Sequence, residues 1–122
     1  MKYLRNILAM VMVVVFGKQV NAQYTGKGAA GEFYTVQQIK DNASKLDKTD
    51  AIVKVKGFII EQTGHEKYTL QDATGKLKVE IDQKYLPATT FNEKTELILI
   101  GEVDHDLLEG TELEVKQVVF VK

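Results

Sequence analysis

Residues 68–82 read YTLQDATGKLKVEID, two alternating runs joined at Asp72-Ala73-Thr74-Gly75. Successive side chains of a β-strand point to opposite faces, so Tyr68 and Leu70 share one face of the first run. Leu77, Val79 and Ile81 share one face of the second. A turn at Asp72 to Gly75 sets Leu70 against Leu77 and Tyr68 against Val79 on the inside. It sets Gln71 against Lys76, Thr69 against Lys78 and Lys67 against Glu80 on the outside. A slip of one residue would turn the whole apolar set to water, so the pattern dictates this register. Gly75 can supply the left-handed backbone such a loop needs, and Asp72 can accept from the turn amides. The stretch reads as a β-hairpin whose turn chemistry is structural first.

The period of two continues on both sides. In the run from Ala51, Val53, Val55, Gly57 and Ile59 share one face, and Lys54, Lys56, Phe58 and Ile60 the other. Gly57 in mid-run suggests a bend or bulge where a long strand turns between two sheets. ELILIGEV (96–103) is apolar on both faces from Leu97 to Ile100, as a central buried strand would be. A last strand runs from about Glu112 to Val121, and its parity shift near Gln117-Val118 suggests another bulge. Between the third and fourth strands, QKYLPATTFNEK is too short and too rich in Pro and Thr for a helix. Tyr85, Leu86 and Phe91 there would plug one end of a barrel. Ahead of the strands, Thr35 and Gln38 fit a capping box, and Val36, Ile39, Ala43 and Leu46 fall on one helical face. One N-terminal helix of about three turns is expected, followed by a mainly β fold whose five strands form a small closed or partly closed barrel rather than an open sheet.

The first 22 residues read as a cleavable signal peptide. Lys2 and Arg5 precede an unbroken apolar stretch from Ile7 to Phe16, and Val20-Asn21-Ala22 offers small residues for cleavage. That stretch is about half of what a membrane-spanning helix needs. The expectation is a periplasmic or secreted chain starting at Gln23, with a Gly-rich flexible leader over 23–34 and one domain over 35–122. The absence of cysteine excludes disulfides, thiolate chemistry and a lipid anchor on a cleavage-site Cys. All 17 acidic residues follow Ala22, whereas Lys2, Arg5 and Lys18 leave with the signal, so 13 Lys against 17 acids give −4. The remaining chain has no arginine, the usual bidentate reader of phosphate and guanine, which disfavours nucleic acid as a partner.

The ordered set Gly57, Tyr68, Asp72, Gly75, Val79-Glu80-Ile81-Asp82 and Gly101-Glu102-Val103-Asp104 resembles the bacterial OB-fold (BOF) family of exported stress-tolerance proteins, of the YgiW/YdeI type. The likeness covers roughly residues 34–122. It departs from the family where a Trp is common after the third strand, since this chain has Tyr85, Leu86 and Pro87. The resemblance implies a five-stranded OB barrel in the periplasm, without enzymatic activity or cofactor, linked to envelope stress tolerance. It further implies binding of a small molecule or protein partner.

The residues themselves leave two readings of the outer barrel face. Lys54, Lys56, Lys67 and Lys78 around Phe58 and Thr69 form either a solvated strand face, with Phe58 under the helix, or an anion- or partner-binding surface. That face lacks the aromatic platform on the second and third strands that single-strand-binding OB-folds use. The fourth connection, with Asp104, His105, Asp106 and Glu109, is either a solvated hairpin loop or a divalent-cation site, although its spacing matches no EF-hand or zinc pattern. Catalysis lacks a constellation. Ser44 is the only serine, no histidine lies near it in sequence, and His65 and His105 fall in separate loops.

Overall fold

The computed structural model describes residues 32–122; the expected signal peptide and most of the expected leader lie outside the described residues. Two short helices, α1 (Val36–Asp41) and α2 (Ala43–Lys48), precede five strands. These are β1 (Ile52–Gly64), β2 (Lys67–Asp72), β3 (Gly75–Ile81), β4 (Glu96–Asp106) and β5 (Gly110–Phe120), with a 3₁₀ turn at Gln83–Tyr85 after β3. The strands close into a barrel in the order β1-β2-β3-β5-β4. β3 and β5 pair in parallel and all other neighbours antiparallel. This is the five-stranded OB barrel. Closure removes the exposed sheet edges that invite aggregation.

The hairpin register is the expected one, residue for residue: Tyr68 faces Val79, Leu70 faces Leu77, Thr69 faces Lys78 and Lys67 faces Glu80. Leu70, Leu77, Val79 and Ile81 are fully buried with Val53, Val55, Leu97 and Leu99. Each such side chain contributes about 1.5–3 kcal/mol by leaving water. Tyr68 is only half-buried, with its ring at the rim of the core. Gly75 takes a positive φ of 157°, a backbone conformation that residues with a side chain rarely adopt, as expected of the glycine in this turn.

The expected helix is broken in two. Thr35 and Gln38 form the full capping box, with the Gln38 N–H donating to Thr35 Oγ1 and the Thr35 N–H to Gln38 Oε1. At Asn42 the backbone leaves helical geometry (φ −113°, ψ 17°), and its side-chain amide donates to the Gln38 carbonyl at 2.8 Å. The Asn42 backbone N–H donates to the same carbonyl at 3.1 Å, so side chain and backbone together close α1 there. The apolar stripe still runs across the break, and Val36, Ile39, Ala43 and Leu46 are all buried on the barrel.

Further expectations change. Gly57 is no bulge: the register shifts of β1 come after Ile59 and after Gln62. Gly57 sits where β1 passes from pairing β4 to pairing β2, and a Cβ there would lie 2.5 Å from the Gln71 carbonyl oxygen. A glycine is needed for the strands to approach this closely. β4 is not buried on both faces either, since Leu97 and Leu99 are buried while Ile98 and Ile100 are half-exposed on the outside. In β5 the irregularity leaves Lys116 as the extra residue, just before the expected position. Tyr85, Leu86 and Phe91 pack on the core as partly buried residues. Residues 32–34, read from sequence as the end of a leader, run beside β1: the Tyr34 N–H donates to the Lys54 carbonyl at 2.8 Å and the Lys54 N–H to the Glu32 carbonyl at 3.1 Å.

Candidate functional site

The barrel divides the expected lysine face into two halves. On one half, β2 and β3 place Lys67, Thr69 and Lys78 outward, and the β4–β5 hairpin rises beside them because β3 pairs with β5 at Lys78–Glu112. The Lys67 ammonium lies 2.8 Å from Glu112 and 3.6 Å from Glu80, and the Lys78 ammonium donates to the Glu109 carbonyl at 2.7 Å. The hydrogen bond to Glu112 raises the Lys67 pKa; partial burial opposes it, and the charges of Glu112 and Glu80 add to the rise. Between these elements lies a cleft of about 260 Å³ walled by Tyr68, Lys67 and Lys78 on one side and Asp104, Asp106 and Glu109 on the other. The face of strands two and three with the loops β1–β2 and β4–β5 is where OB-folds take their ligands. The cleft sits there.

The two sequence-level candidates thus meet. Lysines and carboxylates that lie far apart along the chain line one cleft, where Lys67 pairs with Glu112 and Lys78 bonds a backbone carbonyl. Sequence alternation located both sets, but nothing local signals that Lys67 and Glu112, 45 residues apart, pair. Alternation places Tyr68 inward, and it does pack on the core, but it also walls the cleft; its position next to the β1–β2 turn is the signal for that second role.

The acidic segment is not the loop that was expected. β4 continues to Asp106, which pairs with Gly110, so Asp104 and His105 are strand residues and the turn is Leu107–Glu109. Strand alternation sends His105 to the face opposite Asp104 and Asp106. Its Nδ1 lies 3.1 Å from Thr111 Oγ1, and its backbone N–H donates to Asp47. Asp106 accepts from the Glu109 and Leu108 amides, and these bonds hold its carboxyl below the usual range. Among the described residues, no three His, Cys, Asp or Glu side chains converge to hold a metal ion. Ser44 is exposed on α2.

The other half of the face is open. Lys54 and Lys56 project from β1, with their ammonium groups 5.4 and 5.9 Å from the centroid of the Phe33 ring. Phe58 is half-buried, and it lines a surface furrow with Ile60, Ala73 and Lys94 that no helix residue enters, so the helix does not cover it.

A closed five-stranded barrel with its cleft on the β2–β3 face defines a protein of the OB-fold class. The chain matches the model of the bacterial OB fold (BOF) proteins over residues 16–120 and belongs to that family. It is similar to the calcium-regulated OB-fold protein CarO of Pseudomonas aeruginosa, at 39% identity over 101 residues, covering 83% of this chain and 82% of CarO. Among solved structures it resembles the hypothetical protein YgiW of E. coli, with a TM-score of 0.65, 33% identity, and coverage of 81% of this chain and all of that one. The Stn1–Ten1 complex of S. pombe shares the fold alone, with a TM-score of 0.56 at 14% identity, over 75% of this chain and 76% of that one.

Proposed function

We propose that this protein is an exported, periplasmic OB-fold binding module without enzymatic activity, serving envelope stress tolerance by holding a small ligand or a protein partner. One observation carries the reading: the cleft at the ligand-binding position of the fold combines an aromatic wall, Tyr68, with charges of both signs from β2–β3 and the β4–β5 hairpin. Such mixed, partly satisfied charge suits reversible recognition, because exposed ion pairs are weak and exchange readily for contacts to a ligand.

The test is amide chemical-shift mapping of the isotope-labelled chain, begun at Gln23, against fractionated periplasmic extract. The expected result is saturable shifts at Tyr68, Lys78 and Glu109 that disappear in the Lys67→Glu plus Lys78→Glu variant while the core resonances stay in place. Shifts confined to other surfaces would remove the cleft from consideration. Recovery of the chain in osmotic-shock fluid checks the compartment. Divalent-cation binding at the hairpin, the other reading of its carboxylates, gains little support from side chains that do not converge. The description of CarO as calcium-regulated makes calcium the cation to titrate.

A further inference from the structure

The lysines of the barrel face are not equivalent. Lys67 and Lys116 each lie within ion-pair distance of a glutamate, and Lys78 is committed to a carbonyl. Lys54 and Lys56 have no carboxylate within 4.0 Å among the described residues. They stand over Phe33, which is 56% exposed and is held in place by the pairing of residues 32–34 with β1. Among the described residues, two positive charges without a carboxylate partner and an aromatic ring therefore mark one end of β1.

From that end two hollows that meet at Asp72 follow the strand and together form a furrow, with Lys56 lining the first. A first hollow of about 270 Å³ lies between Phe33, Tyr34 and Lys56. It borders on Asp72, as does a second of about 560 Å³ floored by Phe58 and Ile60. From Lys56 to Ile60 the strand advances about 13 Å. Phe58 and Ile60 point outward, where alternation on a one-sided sheet calls for polar residues, and core packing does not account for them. Two carboxylates border the furrow. Asp72 is turned into its own loop, accepting from the amides of Val36, Thr74 and Gly75 and from the Thr74 hydroxyl. Glu93 stands beside Lys94 at the far end. Among the described residues Glu93 and Lys94 form no ion pair within 4.0 Å, so the far end carries one charge of each sign, whereas the Lys54–Lys56 end carries two positive charges side by side.

We propose that this furrow binds a free single-chain amphiphilic anion, a fatty carboxylate, with its tail along Phe58 and Ile60 and its head group at Lys54 and Lys56. Charge complementarity selects the anionic head, and the elongated apolar floor selects the chain. A bilayer is disfavoured as occupant, because the chain from Gln23 onward carries 13 Lys against 17 acids, a net −4 that repels an anionic surface. The site is separate from the β2–β3 cleft and does not depend on it.

Calorimetric titration of the chain with laurate, below its micelle concentration, tests this directly. Saturable binding of one laurate per chain is expected, with dodecyltrimethylammonium, which has the same tail and the opposite head, at least about tenfold weaker. Lys54→Glu plus Lys56→Glu should weaken laurate binding by about tenfold or more, and Lys67→Glu plus Lys78→Glu should leave it unchanged. Since the chain contains no tryptophan, an F58W variant gives a single emission signal that should move to the blue on laurate binding. Failure to saturate, equal affinity for the two head groups, or binding to anionic vesicles without binding of laurate monomers would each overturn the proposal.

Discussion

Asp72 joins two parts of the fold that meet nowhere else in sequence, and its removal should be felt in both. One carboxylate oxygen accepts from the Thr74 amide at 2.7 Å, the Thr74 hydroxyl at 2.6 Å and the Gly75 amide at 3.1 Å, which fixes the β2–β3 turn. The other accepts from the Val36 amide at 2.9 Å, at the first residue of α1. The Thr74 hydroxyl in turn accepts from the Gln37 amide at 3.0 Å. A side-chain cap is worth about 1 kcal/mol, and bonds to a charged acceptor about twice that, discounted here because water screens a half-exposed group. Asp72→Ala should therefore cost about 2–3 kcal/mol, lowering the melting temperature by about 8–20 °C in a domain of this size. Asp72→Asn keeps one oxygen for the turn but presents an amide to the Val36 N–H, so it should cost about half as much.

The acid response supplies an independent check on the same residue. Burial acts to raise the Asp72 carboxyl pKa, but the bonds from Thr74, Val36 and Gly75 outweigh it and hold the group below the ordinary aspartate range. A folded-state pKa below the unfolded one stabilises the native state fully above about pH 5, and that contribution fades as pH falls through about 4 toward the folded value. Urea denaturation at a series of pH values should show the gap between native protein and Asp72→Ala narrowing from pH 5 to about pH 3. Equal stability of the native protein and both variants at neutral pH, or a gap that does not change with acid, would refute the assigned role.

Two further substitutions probe the barrel. A Cβ at Gly101 would lie 2.0 Å from the Glu114 carbonyl oxygen, so Gly101→Ala must push β4 and β5 apart at their irregularity and should cost about 3 kcal/mol or more, read from the urea midpoint. Leu107 and Leu108 are 93% and 96% exposed at the tip of the β4–β5 hairpin, so replacing both with serine should change the melting temperature by less than about 3 °C.

The elements that could be read from the chain are those whose reason is local. Alternation fixed which side of each strand is buried, so Val53, Val55, Leu77, Val79 and Ile81 were placed correctly, and the tight β2–β3 turn fixed its own register. The capping box was legible because Thr35 and Gln38 satisfy each other across one helical turn. The break at Asn42 was not, because the apolar stripe of Val36, Ile39, Ala43 and Leu46 runs across it without interruption. Gly57 drew attention as a glycine in a strand, yet its reason, the nearness of the Gln71 carbonyl, lies on another strand.

The candidate sites divide in the same way. Composition and alternation alone picked out the lysines, the carboxylates and the outward-facing Phe58. Barrel closure decided which of them meet. Parallel pairing of β3 with β5 brings Glu112 to Lys67 and Glu109 to Lys78, leaving Lys54 and Lys56 without carboxylate partners among the described residues. Strand periodicity is a property of neighbouring residues and survives in one dimension. The partners of a charge depend on how distant strands are brought together, and only the closed barrel contains that information.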